Sequence, residues 1–525
     1  MNKTSSLILP ITVFLLLTGY PLIQAYNATG TFCYPLDDTF IHMAMAKHFS
    51  QYGIWGITEY EFTSSTSSPL YTLLVAVGYY LIMPNMYLPL LLNILFSVAL
   101  LITVFLIFRH NGIPDKYTII TSLCIIIFTP LPALTISGME HTLHTLLIII
   151  LVYSVAECIE RGHLFTSKRV LVLIISALLP IIRYESMFVI IGTVILLFLR
   201  KQRWFASAVL LCASLPVVTY GLISVFNGNF FFPTPVLLKS DAGNIFSFYE
   251  VLNALKNIIS TLYNAPWLFA VTFCAIVLFF IRTKQSVQFW EKDKIMYTIF
   301  LISLVFHSAF ARTGLFFRYE AYLMGFGVFI IFFSLFHYSL FTKINTASTV
   351  KKCTIYFIIL PLFIFYPCRR FNASFKNTHK AMKNIYEQQY QMGRFLHTYY
   401  NDKVIAANDI GAISYLSNVK LIDLEGIGSI EIAKAKLNHT FNAQFMNNLT
   451  QHNDVKIAII YDHWYPDKPE HWIKVGTWKI FHNVICATDS VSFYAIDKKE
   501  KDNLLNNLNK FIKLLPNDVE VKITH

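Results

Sequence analysis

The chain has 525 residues, of which 55% are hydrophobic and only 14% charged, and a formal net charge of +12. So apolar a composition excludes an ordinary soluble enzyme, in which about a quarter of the residues carry charge. The positive charge does not indicate nucleic acid: it is spread over short loops between apolar runs, where anionic lipid head groups account for it, and residues 369–525 hold 20 basic against 16 acidic residues.

A helix needs about 20 apolar residues to cross a bilayer core. The first such run is 7–24; with Lys3 before it and small residues near Ala25, it also fits a secretory signal. A loop at 25–86 follows and carries Asp37 and Asp38 at the membrane boundary. Further runs are predicted to span at 87–108, 117–135, 140–157, 204–226, 266–281, 295–310, 320–341 and 353–367. The run 170–199 is interrupted by Arg183-Tyr184-Glu185 and is expected to form two short spans meeting at a polar elbow, which makes eleven spans in all.

The apolar stretch 69–83 is expected to lie at the interface rather than cross. Leaving it out places 16 Lys or Arg and five acids in one set of loops, with six and nine in the other. Basic loops face the cytoplasm. The topology expected is therefore a cytoplasmic N-terminus, with 369–525 on the extracytoplasmic side. Beyond 369, residues 380–400 read as an amphipathic helix. Short strands are expected near 404–407, 420–424, 455–461, 478–481 and 491–496, with a turn and short helix at 409–416. That pattern predicts a compact α/β domain over 369–500 and a flexible basic tail over 501–525. The eight cysteines contain no CxxC spacing, and a Cys33–Cys368 disulfide is left open.

The expected topology gathers the chemically informative residues on one membrane face. They are Asp37, Asp38, His42 and Lys47; Glu140 and His141; Arg183 and Glu185; Lys239; and Arg312 with Arg318, Tyr319 and Glu320. A carboxylate pair at a membrane boundary is costly to desolvate and calls for a proton, a cation or a substrate. Arg and Lys bind phosphate, and a carboxylate serves as a base. The plain alternatives are a helix cap for the two aspartates, caps for Glu140 and Glu185, and snorkelling for the arginines. His42, one turn after Asp38, fits an orienting, metal-binding or purely packed role.

The stretch Asp37-Asp-Thr-Phe-Ile-His-Met, followed by Gly53-Ile-Trp-Gly and Phe62-Thr-Ser-Ser-Thr-Ser-Ser-Pro-Leu-Tyr, resembles the first outer loop of GT-C glycosyltransferases. The likeness is to bacterial arabinofuranosyltransferase-like and mannosyltransferase-like members, which use polyprenyl-phosphate sugars. Ser137-Gly-Met-Glu140, Arg183-Tyr-Glu185, Phe317-Arg-Tyr319, Asp409-Ile-Gly-Ala-Ile and Ile422-Asp-Leu-Glu-Gly-Ile are similar to later pieces of that family. Tyr184 stands where relatives carry proline, and Pro233-Thr-Pro-Val-Leu-Leu-Lys239 matches its counterpart only loosely.

The resemblance implies an α-helical polytopic GT-C membrane protein with a catalytic domain over 1–368. It also implies inverting transfer of an arabinofuranose- or mannose-like sugar from a polyprenyl phosphate to an acceptor glycan, glycolipid or protein in a bacterial-type membrane. Asp37 would act as base, while Asp38 would position it or hold a divalent cation. Arg183, Arg318 and Lys239 would bind the leaving phosphate; His42, Glu140, Glu185 and Tyr319 would contact substrate. The alternative is a transporter or flippase of lipid-linked sugars, which predicts ionisable residues at span centres and repeated halves.

Overall fold

The computed structural model describes residues 5–162, 166–239, 248–338, 340 and 360–524. Part of the predicted span 353–367 lies outside the described residues. The chain divides into two compact units. The first comprises Met1–Tyr20, Leu90–Thr219 and Ser240–Lys376; the second comprises Pro21–Pro89, Tyr220–Lys239 and Asn377–His525. The loop 25–86, expected as part of a 1–368 domain, thus belongs with the C-terminal region.

The first unit is helical. Among the described residues of the whole chain, six helices are long and apolar enough to cross a membrane: 6–29, 88–110, 141–161, 203–226, 266–285 and 292–310. The apolar helices 186–199 and 321–337 are shorter. The elbow forms as expected, with Arg183-Tyr184-Glu185 separating helix Thr166–Ile182 from helix Ser186–Leu199. The predicted run 117–135 is instead two helices, Asp115–Phe128 and Leu131–Ile136. Pro130 sits at the break and has no N–H with which to continue the ladder.

In the second unit, helix Asp37–Tyr52 ends at Gly53, whose left-handed φ of 71° and N–H bond to the Phe49 carbonyl close the last turn. It packs on helix Pro69–Ile82. That helix has 14 residues, about 21 Å at the usual rise, against a bilayer core of about 30 Å.

The remainder of this unit is a six-stranded sheet of β1 (Val404–Ala407), β2 (Lys420–Asp423), β3 (Ile457–Ile460), β4 (Ile473–Lys479), β5 (Ser490–Ala495) and β6 (Glu520–Ile523), in the order β2-β1-β3-β5-β4-β6. β1 runs parallel to both β2 and β3, and the other pairings are antiparallel. Strand alternation builds two cores. Ile405, Ala407, Ile457, Ile459 and Phe493 meet Phe395, Leu504, Leu508 and Phe511 on one face. Ala406, Ala458, Ile460 and Tyr494 meet Ile432, Met446 and Trp472 on the other.

The expected flexible tail is ordered. Lys498–Phe511 is a helix capped by Asp497, and β6 pairs with β4. Its charge faces solvent while Leu504, Leu508 and Phe511 are buried at helical spacing, with the Phe511 ring stacked on Trp478 at 5.7 Å.

Candidate functional site: an arginine cluster and an acid cluster

The first unit builds an arginine cluster at the polar elbow. Arg183, 7% exposed, donates from Nη1 to Oε1 of the fully buried Glu140 at 2.6 Å. Its Nε and Nη2 fork onto Glu185 at 3.2 and 2.5 Å. Burial pushes the Glu185 carboxyl up, but the adjoining guanidinium outweighs it and holds the group at about 2. The Tyr319 ring carries both arginines, with guanidinium carbons 5.5 Å (Arg183) and 5.1 Å (Arg318) from its centroid. Arg318 is buried, with Nη1 2.7 Å from the Met139 sulfur.

Arg318 and Tyr319 follow an unusual segment. Gly314, Leu315, Phe316 and Phe317 all have positive φ, of 87°, 39°, 57° and 65°. A left-handed run of L-residues costs roughly 1–2 kcal/mol per residue and persists only where its surroundings fix it. Here the fixing group is Arg370, which donates to the Phe317 carbonyl (2.7 Å), the Phe128 carbonyl (3.1 Å) and Glu320 (2.7 Å). Glu320 also accepts from the Trp267 indole and the Gly314 amide, each at 2.9 Å. Arg370 and Trp267 were not among the expected site residues, whereas Glu320 stands in the expected outer-face group beside Arg318 and Tyr319. His144, which pairs with the Ser186 hydroxyl at 2.9 Å, and His307, which meets the Tyr322 hydroxyl at 3.2 Å, were not expected either.

The second unit builds an acid cluster. Asp37 does not serve as a cap for its own helix. Its two oxygens accept the Gly411 and Ala412 amides at 2.7 and 2.8 Å, at the head of helix Gly411–Leu416. Lys47, nearly three turns on, donates to the Tyr415 carbonyl at 3.0 Å. A side chain on Gly411 would collide with the Asp37 backbone, its Cβ lying 2.1 Å from the carbonyl oxygen, so only glycine permits this approach.

Burial and the neighbouring Asp409 charge raise the Asp37 carboxyl to about 7 against the pull of the two amides, and Asp38 adds like charge. Burial raises Asp409 as well, against hydrogen bonds from Tyr461 and Gln389. The Gln389 bond comes from a π-helical turn, Tyr386–Tyr390, that buries Gln388 and Gln389, and the Tyr461 bond from the residue after β3. Gln389 donates to Asp409 at 2.8 Å and to the Tyr461 oxygen at 3.0 Å. The Tyr461 hydroxyl lies in bonding contact with both Asp409 and the Gln388 carbonyl oxygen.

His42 is buried and turned to hydroxyls, with Nδ1 2.8 Å from Thr72 and 3.1 Å from Thr66. Lys239 closes the short helix Thr234–Lys239, whose Thr234 amide bonds the Ser64 carbonyl at 3.0 Å; its side chain lies outside the described part of the structure. Among the described residues no group of three or more His, Cys, Asp or Glu stands ready for a metal. Asp38 with Asp37 is too small a donor set for a hard cation that takes six or more oxygens. Cys33 and Cys368 are both free thiols.

The model of a family described only as a domain of unknown function, DUF8728, matches residues 383–494. No curated protein matches the chain. Solved structures do. ArnT from Cupriavidus metallidurans, bound to undecaprenyl phosphate, aligns over 95% of this chain and 99% of its own with a TM-score of 0.55 at 10% identity. The apo oligosaccharyltransferase of Archaeoglobus fulgidus aligns over 95% of this chain and 74% of its own, at TM-score 0.56 and 12% identity. The chain has the GT-C fold. The archaeal enzyme AglB from the same organism, in complex with an inhibitory peptide and a dolichol-phosphate, gives 0.50 at 12% identity over the same shares. With its long apolar helices, the GT-C fold makes this an integral membrane protein.

Proposed function

We propose that this GT-C protein is a glycosyltransferase that moves an arabinofuranose- or mannose-like sugar from a polyprenyl phosphate to an acceptor hydroxyl with inversion. Asp37 is the general base. The observation that carries this reading is its carboxylate, oriented by two backbone amides and raised to about 7 by burial and Asp409. A base of that affinity is matched to proton transfer at neutral pH. Asp38, beside it and partly exposed, orients the acceptor.

On the donor side the leaving phosphate gains charge as the anomeric bond breaks, and arginine stabilises it there. Arg318 and Arg183 take this role, Arg183 while also serving Glu140 and Glu185 through three N–H bonds. Arg183 therefore fixes the two glutamates and the Tyr319 ring. Lys239 is the third phosphate cation, and Glu140 and Glu185 face the sugar hydroxyls. The fold shared with a protein bound to undecaprenyl phosphate supports this donor class.

Purified protein in lipid nanodiscs, given radiolabelled polyprenyl-phosphate sugars and envelope extract, tests the reading. Asp37→Asn is expected to lower transfer by about 10²–10⁴-fold with donor binding retained. Donor binding with no transfer by the wild type would turn the assignment to transport of lipid-linked sugars.

A further inference from the structure

We infer that the C-terminal region of this chain carries a binding subsite for a neutral sugar ring of the acceptor, built on Trp464 and His463. The inference rests on the glycosyltransferase reading for the word acceptor, but not for the subsite. The topology indicates where to look. β1 pairs with β2 on one side and with β3 on the other, so the chain reverses its direction of sheet growth between β1 and β3. Ligands in open α/β sheets bind beyond the carboxyl ends of strands at such a point. At those ends stand Asn408 and Asp409 after β1 and Tyr461 after β3, joined by the Tyr461 amide on the Asn408 side chain at 2.8 Å.

The next three residues form a single 3₁₀ turn, Asp462–Trp464. The turn is pinned. The Asp462 carboxylate accepts from Lys474 (2.6 Å), Tyr494 (2.6 Å) and Ser492 (2.8 Å), three groups on the sheet itself. Yet the two residues that follow Asp462 are left in solvent, with Trp464 39% exposed and His463 exposed beside it. Beneath them the Trp464 ring meets Tyr461 edge-on at 5.2 Å, and His463 lies 6.0 Å from Trp464. Tyr461 is the residue whose hydroxyl bonds Asp409, the partner of Asp37. A partly exposed indole on a fixed turn, one side chain removed from the acid cluster, packs one edge on Tyr461 and leaves apolar ring surface open to a ligand.

The chemistry selects the occupant. An indole face with an imidazole at its edge suits the C–H face of a sugar, with His463 bonding a ring hydroxyl. Neither group favours an anion or an extended lipid tail. Trp464 therefore holds the acceptor sugar next to the acids and takes no part in donor binding.

The test uses the full chain in nanodiscs and two probes, methyl α-D-mannopyranoside and methyl α-D-arabinofuranoside. Saturation-transfer NMR is expected to show ring C–H contact with at least one glycoside in the wild type. The signal is expected to be lost in Trp464→Ala and kept in Trp464→Phe, with melting temperature unchanged. In transfer assays Trp464→Ala is expected to raise the apparent KM for acceptor extract roughly three- to tenfold, leaving kcat and the donor KM in place. An unchanged saturation signal in Trp464→Ala, or none from either glycoside in the wild type, overturns the subsite. Transfer that proceeds in the wild type and is indifferent to Trp464→Ala overturns it while the glycosyltransferase reading stands. Glycoside contact that depends on Trp464 in a protein without transferase activity sustains the subsite and sinks that reading.

Discussion

The two clusters solve the problem of buried charge in opposite ways. Around Arg183 and Arg370 every buried carboxylate faces a cation: Glu140 and Glu185 share Arg183, and Glu320 holds Arg370. Around Asp37 like charges stand together, and what holds them is backbone amide, amide side chain and phenol. Pairing fixes geometry and makes protonation irrelevant, since the Glu185 carboxyl is held at about 2. Crowding of like charge does the reverse, and brings a carboxyl to where it can exchange protons near neutrality. A transferase needs both kinds of environment, a fixed charge for its leaving phosphate and a movable proton for its nucleophile.

Removing a cation from the paired cluster should do the most damage. Arg183→Ala orphans two buried carboxylates and is expected to cost about 3–5 kcal/mol, read as a collapse of the melting temperature in detergent. Arg183→Lys, which keeps charge but loses the fork, should lie between the variant and wild type. A double-mutant cycle at Arg370 sharpens the comparison. Arg370→Leu alone leaves Glu320 buried and unpaired, whereas Arg370→Leu with Glu320→Gln removes both charges and should recover most of the stability. The left-handed Gly314–Phe317 segment would still lack its donor on the Phe317 carbonyl. Transfer should therefore stay low in the double variant, with the donor KM raised more than kcat is lowered. Recovery of activity along with stability would reduce Arg370 to a structural role.

How much of this could be read beforehand depends on whether a residue interrupts a pattern. Arg183 and Glu185 interrupt an apolar run, and Asp37-Asp38 adjoins one, so both were visible. The three parallel strands were visible through Val404-Ile-Ala-Ala, Lys420-Leu-Ile-Asp and Ile457-Ala-Ile-Ile, apolar runs bounded by polar turns. Asp409 stands out in the sequence only as part of a motif, because its coupling to Asp37 comes from tertiary approach and leaves no spacing behind. Arg370 was hidden for a similar reason, at the edge of a basic boundary where an arginine is unremarkable by composition. The tail was misjudged on its charge, although Leu504, Leu508 and Phe511 stand at i, i+4 and i+7. β6 is four residues long with two charged among them, and only its pairing with β4 makes it a strand.

The acid cluster should respond to pH where the arginine cluster does not. In the unfolded chain Asp37 has its ordinary value of 3.8; folded, it is raised to about 7. Between roughly pH 4 and 7 the folded protein therefore keeps a proton that the unfolded chain has released, so stability is greatest below that window, falls as pH rises through it, and levels off above. Asp423 and Glu387, each raised by burial to about 7, contribute with the same sign, so a melting curve against pH reports all three. Transfer rate separates them. The groups that act on Asp37 are Asp409 and Asp38 by their charge; Cys33, Tyr461 and Cys486 are coupled to it in turn. Asp409→Asn removes the larger of the two like charges while keeping a side chain that can bond Tyr461. The rising limb of kcat/KM, where the base must lose its proton, should then move to lower pH, because the remaining carboxylate ionises more easily. Asp423→Asn should flatten the stability profile and leave that limb in place. If the limb stays put in Asp409→Asn, the proton that limits transfer is not held by the Asp37–Asp409 pair, and the base must be sought at Asp38.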